Sequence, residues 1–152
     1  MSDNYLKIAP LRVDHIPDAE SVRRSTSLLK SLLPNADEVA FRQWSGIQFI
    51  DQGCLFERVC CPRCGRDLDL DWWHERMSSK WKEESKSFES LDIKTPCCES
   101  DTTLNDFRYD WAAAFGLCIL EVLNPGRDLG DEELRAIEAE IGCPVRKVLA
   151  RY

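Results

Sequence analysis

Two cysteine pairs constrain this chain more than any other feature. Cys61-Pro62-Arg63-Cys64-Gly65 holds two thiols two residues apart, and Pro96-Cys97-Cys98 brings two more further along the chain. Thiolates at that first spacing grip one ion when the chain turns tightly between them, and Gly65 removes the Cβ where such a turn needs a positive φ. Zinc takes four ligands of this kind in a tetrahedron at about 2.3 Å, with no open position when the site is structural. The pattern therefore predicts that Cys61, Cys64, Cys97 and Cys98 draw two distant segments around one Zn2+. The second pair is adjacent, and neighbours in an extended strand point to opposite faces. Both ligate only if the chain turns at Cys97–Cys98, which Pro96 and Glu99-Ser100-Asp101 permit. If only one of them ligates, Cys60, His74 or Asp101 completes the set.

The compartment bears on what eight cysteines mean. The start MSDNYLKIAPLRVDH has neither a basic n-region nor an apolar h-region, so the expected location is the reducing cytoplasm. Clustered cysteines there favour metal or redox chemistry over disulfides. A redox dithiol expects a strand–helix context, whereas a hairpin is expected ahead of Cys61 and Pro62 sits inside the motif. Cys54, Cys118 and Cys143 read as small buried hydrophobes. Few other apolar clusters are visible around the cysteines. Metal binding is therefore expected to hold this part of the chain folded, and chelation to unfold it.

Around the cysteines, hydrophobic periodicity suggests two similar halves. A strand near Leu6–Val13 precedes a helix from Asp18 to Leu33, with Val22, Thr26, Leu29 and Leu33 on one face. Asp18 is its N-cap and Pro34 its stop. Glu38–Trp44 follows as a strand. Near the end, Leu117–Leu123 is an almost unbroken apolar run, as in a central strand covered on both faces. A helix over Asp131–Ile141 is closed by Gly142 and Pro144, and Val145–Leu149 is a last strand. Strand–helix–strand twice over is the split βαβ, ferredoxin-like pattern. The expected fold class is α+β: sandwich halves at 1–45 and 112–152, with a zinc-ribbon module inserted at 46–111. Inside that module the sequence predicts a hairpin of Ile47–Ile50 with Leu55–Val59. A helix over Asp69–Glu84 and a strand over Leu91–Thr95 follow.

Charge narrows the function classes. The 152-residue chain carries 20 Lys and Arg against 27 Asp and Glu, a net of −7. Between Gly46 and Asp110 there are nine basic and fourteen acidic residues. Zinc ribbons often bind nucleic acid, but phosphate affinity needs the opposite sign. An acidic surface suits solubility or a basic protein partner, as for a toxin-neutralising immunity protein or a small regulator. No apolar stretch is long enough to span a bilayer. The candidate interaction residues are Trp72, Arg108, Tyr109 and Trp111, a mixture of aromatics and arginine of the kind found at binding hot spots.

Enzymatic patterns fail on inspection. His74-Glu75 are helix neighbours that do not face each other, and a zincin would need a histidine where Ser78 stands. Asp67, Asp69 and Asp71 lack the glycine and the terminal glutamate of an EF-hand loop. No phosphate-binding glycine loop or nucleophile elbow is present.

Several stretches resemble an uncharacterised family of bacterial zinc-ribbon-containing proteins. They are Phe49-Ile50-Asp51, CPRCG at Cys61–Gly65, Trp72-Trp73, TPCC at Thr95–Cys98, Thr103-Leu104-Asn105-Asp106, Tyr109-Asp110-Trp111, Leu120–Pro125 and Gly142–Arg146. The resemblance covers about two-thirds of the chain and implies a bacterial cytosolic origin, with no activity attached. Where this chain has Gln52 the family often has cysteine, which implies that this position is not an obligatory ligand.

Overall fold

A computed structural model describes residues 2–152 as a mixed α+β protein with three helices and a mostly antiparallel arrangement of strands. In chain order the elements are β1 (Asn4–Pro10), α1 (Ala19–Leu32), β2 (Glu38–Ile50), β3 (Arg58–Cys60), α2 (Leu70–Lys80), β4 (Trp81–Lys82) and β5 (Ser87–Phe88). Then come β6 (Asp92–Lys94), β7 (Asp101–Thr103), a 3-10 turn (Leu104–Asp106), β8 (Arg108–Asp110), β9 (Ala114–Leu123), α3 (Asp131–Ile141) and β10 (Val145–Arg151). The main sheet has the order β10-β1-β9-β2-β5-β4, and every neighbouring pair is antiparallel. No helix among the described residues is long and apolar enough to cross a membrane.

Helices α1 and α3 begin and end where local chemistry dictates. The Asp18 carboxylate accepts from the Ser21 N–H at 2.8 Å, satisfying a donor that the first turn leaves free. At α3 the Glu133 carboxylate reaches back to the Gly130 N–H at 2.9 Å and is gripped by Arg127 at 2.6 and 2.9 Å. Arg127 and that N–H hold the Glu133 carboxyl down to about 2. Leu29, Leu33, Ile137 and Ile141 cover Leu6, Ile8, Leu120 and Val122 on one face of the sheet. Arg24 of α1 meets Glu140 of α3 at 2.7 Å, fastening the helices side by side. β9 lies between β1 and β2, and its buried run from Phe115 to Val122 matches the central-strand expectation.

The middle of the chain is wired differently from its sequence pattern. Ile47–Ile50 does not form a hairpin with Leu55–Val59. It continues β2, and Gln48, Phe49 and Ile50 pair with Gly116, Phe115 and Ala114 of β9. β3 pairs with β8 instead. The expected break at residue 46 therefore falls inside a strand, and β4 and β5 extend the same sheet. The register between β2 and β9 slips between Gln43 and Gln48, a bulge that bends both strands. Beyond it, Ile50 and Ala114 pack with Ala9, Ile119 and Val148 in a small cluster separate from the one beneath α1 and α3. Gly53 then meets Arg151 of β10 in an isolated bridge, where a Cβ would lie 2.2 Å from the Arg151 carbonyl oxygen.

Two shorter elements also differ. α2 stops at Lys80 rather than Glu84, because Trp81 and Lys82 turn into β4 and pair with Ser87 and Phe88. The strand expected over Leu91–Thr95 shortens to β6, and the cysteines occupy the turn that follows it.

The middle region also has its own core. Val59, Cys61, Leu68, Trp73, Phe88, Leu91, Leu104, Phe107, Tyr109 and Phe115 are buried together. Phe49, Phe56 and Tyr109 ring Trp73, with centroids 5.7, 5.1 and 5.9 Å away. This corrects the expectation that little besides metal holds the region together. The apolar residues are scattered singly through polar sequence, and only the fold gathers them.

Candidate metal centre

Cys61 and Cys64 lie on a turn leaving β3. The Gly65 N–H donates to the Cys61 carbonyl at 3.0 Å and the Cys61 N–H to the Arg66 carbonyl at 2.9 Å. Gly65 takes φ +77° to close the turn. With the backbone curled this way, the N–H groups of Arg63 and Cys64 point at the Cys61 sulfur, at 3.3 and 3.5 Å.

The same turn is built a second time between β6 and β7. The Glu99 N–H donates to the Thr95 carbonyl at 3.0 Å and the Thr95 N–H to the Ser100 carbonyl at 2.9 Å. Glu99, at φ +55°, stands where the first turn has Gly65. Superimposing the two hydrogen-bond patterns aligns Cys64 with Cys98 and Pro62 with Pro96. Cys61 then aligns with Thr95, and Arg63 with Cys97. The adjacent pair is thus an ordinary two-residue spacing with its first cysteine moved two places along. This resolves the difficulty that adjacency raised, because the pair sits in a turn and not in a strand.

Thr95 keeps a supporting role at the vacated position. Its buried hydroxyl oxygen accepts from the Ser100 N–H at 2.9 Å and lies 3.3 Å from the Cys98 sulfur.

The two turns face each other, and all four sulfurs lie within 4.8 Å of one another. Cys61 and Cys98 are 3.8 Å apart, Cys64 and Cys97 3.4 Å, and Cys97 and Cys98 3.9 Å. A tetrahedron of sulfurs about 2.3 Å from a central ion has edges of about 3.8 Å. These four cysteines can therefore hold a metal ion.

The electrostatics describe thiols crowded together. The Ser100 and Thr95 hydroxyls draw the Cys98 thiol down to about 6. Desolvation, and then its contacts with the Cys64 and Cys61 sulfurs, push the Cys97 thiol up to about 12. Burial raises Cys61, but the N–H groups of Cys64 and Arg63 outweigh it and lower this thiol. Four neighbouring thiols cannot all ionise without a cation between them, and a divalent ion supplies the missing charge.

The alternative ligands stand apart from the cluster. The Cys60 thiol bonds to the Asp67 carboxylate at 3.1 Å. Asp101 pairs with Lys94 at 3.3 Å. His74 is exposed against the edge of Trp73. Of the three cysteines read as buried hydrophobes, Cys118 is buried, whereas Cys54 is exposed and Cys143 only partly covered. Cys54 lies just past the bridge from Gly53 to Arg151, where its N–H donates to the Arg151 carbonyl at 2.9 Å and its side chain faces out.

The four interaction candidates do not share one surface role. Tyr109 is buried, and its hydroxyl donates to the Leu104 carbonyl at 2.7 Å and accepts from Trp73 Nε1 at 3.3 Å. Trp72 is half-buried and stacks loosely on Phe107. Arg108 is exposed opposite Cys60. Trp111 is 46% exposed, and its carbonyl is held by Gln52 Nε2 at 2.7 Å. Asn105 is not among the candidate residues that the sequence suggests. Its side chain accepts from the Phe115 N–H at 2.9 Å and lies under Arg146, as a buried amide in the Leu-Asn-Asp stretch.

Comparison with protein-family models, curated proteins and solved structures finds no match to this chain.

Proposed function

We propose that this is a zinc-stabilised cytoplasmic protein that acts as a protein–protein interaction module for a partner with a basic surface. The observation that carries the reading is the tight four-sulfur cluster. Four thiolates complete a tetrahedral sphere and leave no position for a substrate, so the ion braces the chain instead of reacting. Soft sulfur ligands in this geometry favour zinc over the harder divalent ions.

In this reading the two facing turns are a zinc ribbon carried on a ferredoxin-like frame. The order β10-β1-β9-β2, with α1 and α3 on one face, supports it. So does the resemblance of the chain's motifs to an uncharacterised bacterial zinc-ribbon-containing family. Trp111 and Arg108 supply the exposed aromatic and the arginine of an interaction surface. The net charge of −7 favours a basic partner and disfavours a phosphate backbone. An immunity-type inhibitor of a basic toxin, or a small regulator, is the form of interaction protein this describes.

Metal analysis and affinity capture on one preparation test both parts. The expected result is one zinc per chain and a basic partner that is released as salt is raised. Metal-free protein with its two turns intact overturns the zinc assignment. A partner retained regardless of salt, or no partner at low salt, overturns the interaction assignment.

A further inference from the structure

A groove of about 540 Å³ opens between α2 and β6, and none of the four clustered cysteines lines it. Trp72, Arg76 and Lys80 fall one turn apart along α2 and line one wall. Lys82 and Lys94 line the remainder with Glu89 and Asp92. Four cations against two carboxylates reverse the sign of an otherwise acidic molecule. Lys94 is partly neutralised by Asp101. Lys80, Lys82, Glu89 and Asp92 form no ion pair among the described residues. Lys80 sits in the last turn of α2, where a cation suits the helix dipole; Arg76 and Lys82 have no such explanation.

Arg76 offers its terminal nitrogens to the groove: the side chain is 42% exposed, while its Nε is covered and unpaired. Its nearest carboxylate, Glu75, stands 3.9 Å from one of those nitrogens, too far for a hydrogen bond. Beside it the half-buried Trp72 indole stacks loosely on Phe107, with the rings 6.3 Å apart and 26° from parallel. An aromatic plane beside several cations is the pairing that receives a flat ring carrying a phosphate. The volume also falls within the range of small-molecule sites.

We propose that this groove binds a nucleoside monophosphate. The phosphate bonds Arg76, Lys80 and Lys82, the base stacks on Trp72, and the unpaired carboxylates of Glu89 and Asp92 accept from sugar hydroxyls or an exocyclic amine.

Calorimetric titration of the metal-loaded protein with AMP, GMP, CMP and UMP tests this, with adenosine and inorganic phosphate as the two halves of the ligand. The expected result is saturable binding of at least one nucleotide, tighter than either half. Arg76→Gln and Lys82→Gln each lose about tenfold or more in affinity, as expected for a charge-assisted hydrogen bond. Arg76→Lys recovers part of the loss, Trp72→Leu weakens the nucleotide but not phosphate, and the remote Lys30→Gln changes nothing. Unaltered circular dichroism shows that the variants are folded. The proposal is overturned by no saturable binding at nucleotide concentrations of about 10 mM, or by phosphate binding as tightly as the nucleotides. It is equally overturned if the groove variants bind as the parent does, or if a short single-stranded oligonucleotide binds while every mononucleotide fails.

Discussion

The Arg146 guanidinium donates to the backbone carbonyl of Asn105 at 2.9 Å, across 41 residues of chain. The same nitrogen reaches the Ala113 carbonyl at 3.0 Å and the Asn105 side-chain oxygen at 3.3 Å. The group is largely desolvated, and burial draws its pKa below the usual arginine value. It spans from the last strand of the main sheet to the segment that follows the second cysteine turn. A single side chain thus fastens the two regions that the sequence presents as frame and insertion.

Replacing Arg146 by Met leaves these carbonyl oxygens without their donor. The expected cost is about 2–4 kcal/mol, read from the urea midpoint. A double-mutant cycle with Asn105→Ala is expected to show coupling of about 1 kcal/mol or more. A simple sum of the two single effects would show that the Asn105 side chain adds nothing to the clasp, leaving it to the backbone carbonyls of Asn105 and Ala113.

The duplicated turn makes a prediction about ligand exchange. Cys97→Ser is expected to lower metal affinity sharply. Adding Thr95→Cys to that variant restores two cysteines at the spacing of Cys61 and Cys64, and is expected to restore one metal per chain. Competition with a chromophoric chelator measures both. A double variant no better than Cys97→Ser would mean that the two turns are alike only in their backbones.

Metal removal is expected to loosen the two turns and to spare the sheet. Trp73 is ringed by Phe49, Phe56 and Tyr109, none of them one of the four clustered cysteines, so far-ultraviolet circular dichroism should change little after chelation. Amide exchange at Arg63, Cys64, Glu99 and Ser100 should rise strongly. Complete loss of structure in the chelator would show that the apolar cluster cannot stand without the ion.

Tyr109→Phe tests the buried hydroxyl. It leaves the Trp73 N–H and the Leu104 carbonyl unpaired, so a loss of about 1–3 kcal/mol is expected in the denaturation midpoint. Unchanged stability would require both groups to find water or another partner.

Glu133 carries a pH dependence whose sign follows from its depressed carboxyl. Its folded value of about 2 lies below the ordinary 4.5, so its contribution is fully present above 4.5 and fades as pH falls toward 2. The stability difference between the parent and Glu133→Gln should therefore shrink across that window. Comparing urea midpoints of the two chains at each pH cancels contributions common to both, including protonation of the cysteines. A difference constant down to pH 2 would remove Glu133 from the acid response.

What the residues determined by themselves is the local chemistry. Asp18 caps α1 because a carboxylate satisfies free N–H groups wherever a helix starts, and Pro34 stops it for equally local reasons. The Leu117–Leu123 run announced a central strand, and Cys61-Pro62-Arg63-Cys64-Gly65 announced its own turn. Tertiary structure decided the rest, because it depended on partners far apart in sequence. Ile47–Ile50 has the same alternation whether it pairs with Leu55–Val59 or with β9, and only the long-range pairing of the folded sheet selects β9. Cys97 and Cys98 look unfit as a ligand pair until the backbone bonds of Thr95, Glu99 and Ser100 reproduce the first turn. Tyr109 reads as a surface aromatic until Trp73 and Leu104 close over its hydroxyl. Arg146 carries no local signal at all: its acceptors lie on a segment that folding alone brings within reach.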